Sequence, residues 1–125
     1  MRVAGFGFRQ EVTHTALKDA FEKVCALSGG DAVSVLATPE RKSGHPALQA
    51  LASELNLPVR AIDAETLSKI STRTHSDRVA ALYGTGSVAE AAALAAAGAG
   101  ARLVCARVIS DDGTAVAAIA EGDMP

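Results

Sequence analysis

Strand-like and helix-like segments alternate along this chain, and that alternation constrains the fold more than any other feature. The strand-like runs of the first half are short and apolar, and they span residues 2–8, 32–37 and 57–62. Between them lie segments whose apolar residues recur every three or four positions, residues 13–28 and 46–55. Alternation of this kind predicts an α/β fold in which helices cover the faces of a sheet.

The second half of the chain predicts a close-packed helix and a closing hairpin. Ser87 and Glu90 have the spacing of a helix capping box, and the helix that follows is almost entirely alanine. Because its side chains are so small, this helix must lie close to the sheet. Residues 111–113 separate two β-rich runs, 102–109 and 114–120, which predicts an antiparallel hairpin. We therefore expect a mixed sheet of about five strands with helices on its faces.

Composition excludes several functional classes. A chain of 125 residues suffices for one compact domain, which we place at residues 1–125. A net charge of −2 and an aromatic content of 3% argue against a nucleic-acid-binding surface. We expect no membrane segment, no signal peptide and hence a cytoplasmic location, because no apolar run reaches about 18 residues. The histidines and cysteines lack metal-ligand spacing, so we expect neither a metal site nor a cofactor.

Two segments of the first half carry residues suited to binding an anion. Gly5 and Gly7 are expected to form a tight turn at the end of the first strand, where backbone amides can approach a ligand and Arg9 projects nearby. Arg41 and Lys42 follow the second strand in what we predict to be a loop. If the two strands are parallel, both segments face the same crevice. A turn without a ligand and an ordinary solvated loop are the simpler alternatives.

The third such segment opens the alanine helix. Free amides at a helix N-terminus attract anions, and here they are joined by Gly84, Thr85, Gly86 and Ser87. The same residues fit a dinucleotide-binding pattern, but the acidic residue expected about 20 positions later is missing. Nucleotide binding is therefore the weaker hypothesis. The simpler alternative is that Ser87 and Glu90 only cap the helix.

Candidates for acid–base or nucleophilic chemistry are few. His45 shares the basic loop with Lys42 and belongs to the residue type that titrates near neutrality, and Glu90 is a further candidate. No catalytic triad, carboxylate pair or activated cysteine is recognisable. The residues alone therefore indicate a small α/β domain with an anion-binding edge.

Three motifs in a set order resemble a known family. They are Gly5-Phe6-Gly7-Phe8-Arg9, Ala37-Thr38-Pro39-Glu40-Arg41-Lys42, and the run from Gly86 through Ser87-Val88-Ala89-Glu90 to Leu94. In this order they resemble the cobalamin-biosynthesis CobE family, which is related to the C-terminal domain of the CbiG proteins. The resemblance implies a three-layer α/β/α domain that acts in construction of the corrin ring.

The resemblance also implies a ligand, a corrin or precorrin macrocycle fringed by carboxylates. CbiG-type proteins are associated with opening a δ-lactone on a cobalt-precorrin and releasing a two-carbon aldehyde. Because Met1 directly precedes the first strand, the chain resembles the stand-alone form, to which we do not expect this activity to carry over. His45 stands where a carboxylate is expected in the CbiG-type pattern, and Arg107 where lysine is commoner.

We therefore expect a protein that binds or helps to process such an intermediate. A lactone-opening enzyme component that uses His45, Lys42 or Glu90 is one alternative. A second is an interaction module that contacts other enzymes of the pathway and binds no pigment.

Overall fold

The computed structural model describes residues 1–30, 32–70 and 87–122. The strands are β1 Arg2–Phe8, β2 Val35–Pro39, β3 Val59–Ile62, β4 Arg102–Ile109 and β5 Ala115–Glu121. The helices are α1 His14–Leu27, α2 Pro46–Leu55, α3 Ala64–Ser68 and α4 Val88–Ala97, with a short 3₁₀ helix at Glu40–Lys42.

The strands form one mixed sheet in the order β3-β2-β1-β5-β4. The first three run parallel, whereas β5 is antiparallel to both β1 and β4. The mixed five-stranded sheet and its C-terminal antiparallel hairpin are therefore confirmed. Because β1 and β2 are parallel neighbours, the segments that follow them leave the sheet at the same edge.

Local sequence signals set the ends of several helices. The Thr13 hydroxyl accepts the Ala16 N–H at 3.1 Å and begins α1. Asn56 ends α2 in the left-handed conformation, with φ of 56°. The Asp63 carboxylate accepts the Thr66 N–H at 2.8 Å, which begins α3 and holds the pKa of Asp63 below its ordinary value.

Helices cover both faces of the sheet, which gives the three-layer architecture. On one face, large side chains of α1 and α2 such as Leu17 and Leu51 pack against Phe6 and Ile119 of the sheet. On the other face, α4 contributes almost only alanine, and α3 adds Leu67. None of the described helices is long and apolar enough to cross a membrane.

The second strand differs from its predicted bounds. It begins at Val35, the first residue in register with β1, rather than at residue 32. It continues through Thr38 and Pro39, beyond the predicted end at residue 37, because the missing N–H of Pro39 matters little at the last strand position. The predicted loop then begins with the 3₁₀ helix instead. The sequence also predicts a helical turn that Ser76 caps and that ends at Tyr83, and this segment lies outside the described residues.

Candidate functional site

The two glycines of the first motif lie inside β1, and the predicted glycine turn is therefore wrong. Both are buried, and a Cβ on Gly5 would lie 2.1 Å from the Ala89 carbonyl oxygen and 2.6 Å from the Ala93 nitrogen. A Cβ on Gly7 would lie 3.3 Å from Cγ1 of Val88. Pairing with β5 extends β1 to its last residue, so the glycines give the backbone of α4 room against the sheet rather than shape a turn.

Ser87 caps α4 at the same edge of the sheet at which β1 ends. Its hydroxyl accepts the Glu90 N–H at 3.4 Å, and only 1% of the residue is exposed. The proximity of Val88 to Gly7 places this helix end beside the carboxyl end of β1. The capping role predicted for Ser87 is thus confirmed, whereas Gly84, Thr85 and Gly86 lie outside the described residues.

Glu90, in the first turn of α4, connects this helix to strand β4. Its side chain is fully buried, and its Oε2 accepts the backbone N–H of Arg107 at 3.0 Å. The register of β4 with β5 shifts between Cys105 and Val108, as at a β-bulge. The carboxylate of Glu90 therefore satisfies a backbone group of the irregular stretch and joins α4 to β4.

A group of cationic and aromatic residues lies where β1 and β2 end. We call Phe8, Arg9, Arg41, Lys42 and His45 the cationic edge. The Lys42 ammonium lies 5.5 Å from the centroid of the Phe8 ring, a cation–π geometry. The His45 ring meets the same Phe8 ring edge-on, with centroids 5.3 Å apart. We did not predict that Phe8 is the aromatic platform that Lys42 and His45 both contact, although Phe8 follows Phe6 on the same face of β1.

A pocket of about 250 Å³ opens beside this aromatic platform. It is lined by Gln10, Arg41, Lys42, Gly44, His45 and Pro46. Two cations and no carboxylate are among these residues, so the pocket favours an anion. The structure thus brings together the loops that follow β1 and β2, as the sequence predicted.

Lys42 differs from the other three lysines of the chain in its surroundings. Lys18, Lys23 and Lys69 each have a carboxylate oxygen within 4.0 Å. No such partner lies near the Lys42 ammonium among the described residues. Burial lowers the pKa of Lys42 below its ordinary value, the charge of Arg41 lowers it further, and Glu11 opposes the change. An incoming carboxylate would offset these unfavourable effects on the ammonium.

His45 holds two loops together. Its Nδ1 accepts the Ala47 N–H at 3.1 Å, so that His45 begins α2. Its Nε2 lies 2.7 Å from the Gln10 carbonyl oxygen, to which it donates in the tautomer that this arrangement requires. Both ring nitrogens are therefore engaged by the backbone. These contacts give His45 a structural role in holding the two loops together, and an acid–base role for it stays a prediction.

Of the third predicted segment the structure describes Ser87, which lies at the same edge of the sheet as the first two segments but begins a helix on one face only. Phe8 packs with the side chains of the α1–α2 face, whereas α4 covers the opposite face. The pocket is lined by residues from the first two segments. No cluster of three or more potential metal-ligating side chains occurs within residues 1–30, 32–70 and 87–122.

Fold and site together define a small α/β/α domain with a cationic edge at the carboxyl end of its central parallel strands. The model of the family described as "Cobalamin synthesis G C-terminus" matches residues 2–120. The chain belongs to this family. It matches no curated protein.

Solved structures of related proteins agree with this assignment. The chain is 30% identical to CobE, a protein from the cobalamin (vitamin B12) biosynthetic pathway, with a TM-score of 0.86 over 96% of this chain and 89% of that chain. It is 35% identical to the cobalamin biosynthesis protein chiG from Agrobacterium tumefaciens str. C58, with a TM-score of 0.75 over 99% and 100% of the two chains. The chain is therefore a protein of cobalamin biosynthesis.

A third structure shares the fold at lower identity. It is described as a cobalamin biosynthesis protein G homolog from Sulfolobus solfataricus, with 20% identity and a TM-score of 0.69. The match covers 98% of this chain but 37% of that one. The fold therefore also occurs within a much longer protein.

Proposed function

We propose that this protein binds a corrin or precorrin intermediate of cobalamin biosynthesis through the carboxylates at the rim of the macrocycle. The observation that carries the proposal is the surroundings of the Lys42 ammonium. It is the one lysine of the four whose ammonium has no carboxylate within 4.0 Å among the described residues, and it shares a pocket with Arg41. A site with this charge suits a ligand that brings its own carboxylates.

The surroundings of the pocket fit a ligand of this class. Hydrogen bonds between a carboxylate and an ammonium or guanidinium are shorter and about twice as strong as neutral ones. Phe8 offers an apolar surface beside the cations. Arg9 is exposed at the same edge, where it can meet a second carboxylate of a broad ligand.

Binding fits the geometry better than lactone opening. Hydrolysis needs a base with an available lone pair near the ligand. Of the three predicted candidates, His45 has both ring nitrogens in contact with the backbone and Glu90 has a fully buried carboxylate, which leaves Lys42 as the remaining candidate base. Incubation with a lactone-containing precorrin and trapping of any released aldehyde tests the enzymatic alternative directly, with Lys42→Gln as the matched variant.

The binding proposal is tested by titrating the protein with hydrogenobyrinic acid, a metal-free corrin that carries carboxylates. We expect a visible absorbance change and co-elution at micromolar concentrations. Lys42→Gln keeps much of the side-chain length but removes the charge, and we expect it to weaken binding at least about tenfold, since a hydrogen bond to a charged group contributes about 1.5–3 kcal/mol. Lys69→Gln, at an exposed lysine of the segment that follows α3, is the control.

Salt dependence gives a second measurement. Screening weakens contacts between exposed charges, so affinity for hydrogenobyrinic acid should fall as ionic strength rises. Lys42→Gln should flatten that dependence, while Lys69→Gln should not. If the pigment neither changes its spectrum nor co-elutes with the protein, the binding function is wrong.

A further inference from the structure

We infer that His45 is a pH-sensitive latch: its neutral ring holds the loop after β1 against the loop after β2, and protonation of the ring opens the pocket between them. The inference rests on the proposed function and deepens it, because Gln10 of the first loop and residues 41–46 around the second line that pocket. His45 is thereby assigned as a positioning residue, which affects the ligand through the placement of the two loops.

The hydrogen bonds of the His45 ring determine which nitrogen carries the proton. A backbone N–H donates and does not accept, so the Nδ1 that lies 3.1 Å from the Ala47 nitrogen must offer a lone pair. A carbonyl oxygen accepts and does not donate, so the Nε2 that lies 2.7 Å from the Gln10 oxygen must carry a hydrogen. One form of the ring makes both contacts, the neutral imidazole protonated at Nε2.

Protonation of Nδ1 breaks this arrangement. The imidazolium carries an N–H at both nitrogens, so two donors face each other across the contact with Ala47. The ring must then turn away from the start of α2. It also meets the Phe8 ring edge-on, with centroids 5.3 Å apart, so a turn of the ring draws Nε2 away from Gln10. The cap of α2 and the link between the loops are therefore lost together.

The nearby cations favour the open form once the ring is charged. Arg41 and Lys42 line the same pocket as His45. The Lys42 ammonium lies 5.5 Å from the centroid of the Phe8 ring, which the His45 ring also contacts. A positive charge on His45 is therefore repelled by two others, and the repulsion acts across the pocket that the latch closes.

Carboxylates do not offset this repulsion at ion-pair distance. His14 has the Glu54 carboxylate 3.6 Å from its Nε2, whereas the His45 ring has no carboxylate oxygen within 4.0 Å in the part of the chain that the structure describes. The titratable and charged groups on the elements packed against His45 are Arg9, Glu11, His14, Glu40, Arg41, Lys42 and Glu54.

The first test needs no ligand and compares the wild-type protein with His45→Asn and His14→Gln. Asparagine keeps an acceptor and donors on one side chain but does not titrate. Between about pH 8 and pH 5, where histidines titrate, we expect NMR to show that protonation of His45 coincides with faster exchange of the Ala47 amide. Relative to His45→Asn at the same pH, protection of this amide should fall about fivefold, the effect of a lost helix cap. His14→Gln should keep the wild-type profile.

The second test titrates the same proteins with hydrogenobyrinic acid. At about pH 8 the latch is closed, so the wild-type protein and His45→Asn should bind the pigment equally. In mild acid the affinity of the wild-type protein should fall several-fold relative to His45→Asn. The comparison is made at equal pH, which cancels protonation of the pigment itself.

Each outcome has a distinct meaning. If the Ala47 amide exchanges with the same profile in the wild-type protein and in His45→Asn, the cap does not respond to the charge of the ring and the inference is overturned. Tighter binding by the wild-type protein than by His45→Asn in mild acid also overturns it, because the imidazolium then attracts the pigment directly. If no variant binds the pigment, the proposed function fails, while the exchange profile still decides whether the latch exists.

Discussion

The α4 face of the sheet and the cationic edge are built on opposite physical principles. At the α4 face, backbone atoms of helix and sheet approach so closely that a Cβ on Gly5 or Gly122 would lie 2.1 or 2.3 Å from a helix carbonyl oxygen. At the cationic edge, Gly44 has no atom within 4 Å of the position where a Cβ would stand. Shape therefore governs the first region, and charge governs the second.

This difference explains why glycines have different roles in the two regions. The glycines beneath α4 are required by contact distance, and a ligand has no access to that side of them. The residues of the edge are partly or fully exposed, and their arrangement depends on a few directed contacts made by Phe8 and His45. Substitutions at the α4 face should therefore change stability, and substitutions at the edge should change binding.

The largest effect is expected from Gly5→Ala. The added methyl group would overlap the Ala89 carbonyl oxygen, so α4 must move away from the sheet, and we expect a loss of about 3 kcal/mol in the free energy of unfolding. Urea denaturation measures it. Gly44→Ala is the matched control and should stay within about 0.5 kcal/mol of the wild-type protein. Equal stability of both variants would contradict the close approach.

The next effect concerns the contact between Glu90 and β4. Glu90→Ala leaves the Arg107 N–H without this acceptor and opens a cavity, and we expect a loss of about 2 kcal/mol. Glu90→Gln keeps an oxygen at the same place and should lose less. Urea denaturation of both variants measures the difference, and amide hydrogen exchange at Arg107 reports the bond itself. Unchanged exchange in Glu90→Ala would show that this bond does not protect the amide.

A smaller effect is expected from the cap of α2. His45→Ala removes the acceptor of the Ala47 N–H and the contact with Gln10, and we expect a loss of about 1 kcal/mol. His45→Asn restores a capping oxygen without an imidazole and should recover most of that loss. If His45→Asn restores stability and leaves pigment binding unchanged, His45 has a structural role and no direct role in binding. Loss of binding in the well-folded Asn variant would instead indicate a direct role.

The smallest effect on stability is expected from Lys42→Gln. Because burial disfavours the ammonium, Lys42 slightly opposes folding below its lowered pKa, and that cost disappears as the pH rises toward the ordinary value of 10.5. Since the side chain is only partly buried, the neutral-pH stability of the variant should match the wild-type protein within about 0.5 kcal/mol. Urea denaturation at neutral pH tests this.

Pigment binding by the wild-type protein should depend on pH in the opposite sense. The ammonium is the form that holds a carboxylate, so affinity is present below the folded-state pKa of Lys42 and is lost as the pH rises through it. Titrations with hydrogenobyrinic acid across the alkaline range measure this loss. Lys42→Gln should lack it, and an identical alkaline profile in that variant would assign the titration to another group.

Much of the fold follows from local patterns in the sequence. The bounds of β1 and the hairpin follow from apolar runs and turn residues, and Thr13 and Asn56 mark helix ends through bonds and backbone angles that involve only near neighbours. The bounds of β2 were less predictable. They depend on register with β1, which is a property of another segment.

The candidate site was predictable in part for the same reason. Arg41 and Lys42 were found from sequence because basic residues after a parallel strand face the crevice of the sheet. The platform role of Phe8 and the contact of His45 with the Gln10 carbonyl were missed, because each joins residues far apart in the chain. Whether Arg9 and Ser87 contact the ligand stays a prediction.

By itself, the sequence determined the order of strands and helices, their caps, the hairpin and the family, because these are set by residues a few positions apart or by motifs in a fixed order. Only the tertiary structure decided that Gly5 and Gly7 serve the packing of α4 and that Glu90 reaches the backbone of β4. It also decided that Lys42 shares a pocket with the loop after β1. The reason is physical: a residue has a given side-chain type in any fold, but its distance to another segment exists only after the chain has packed.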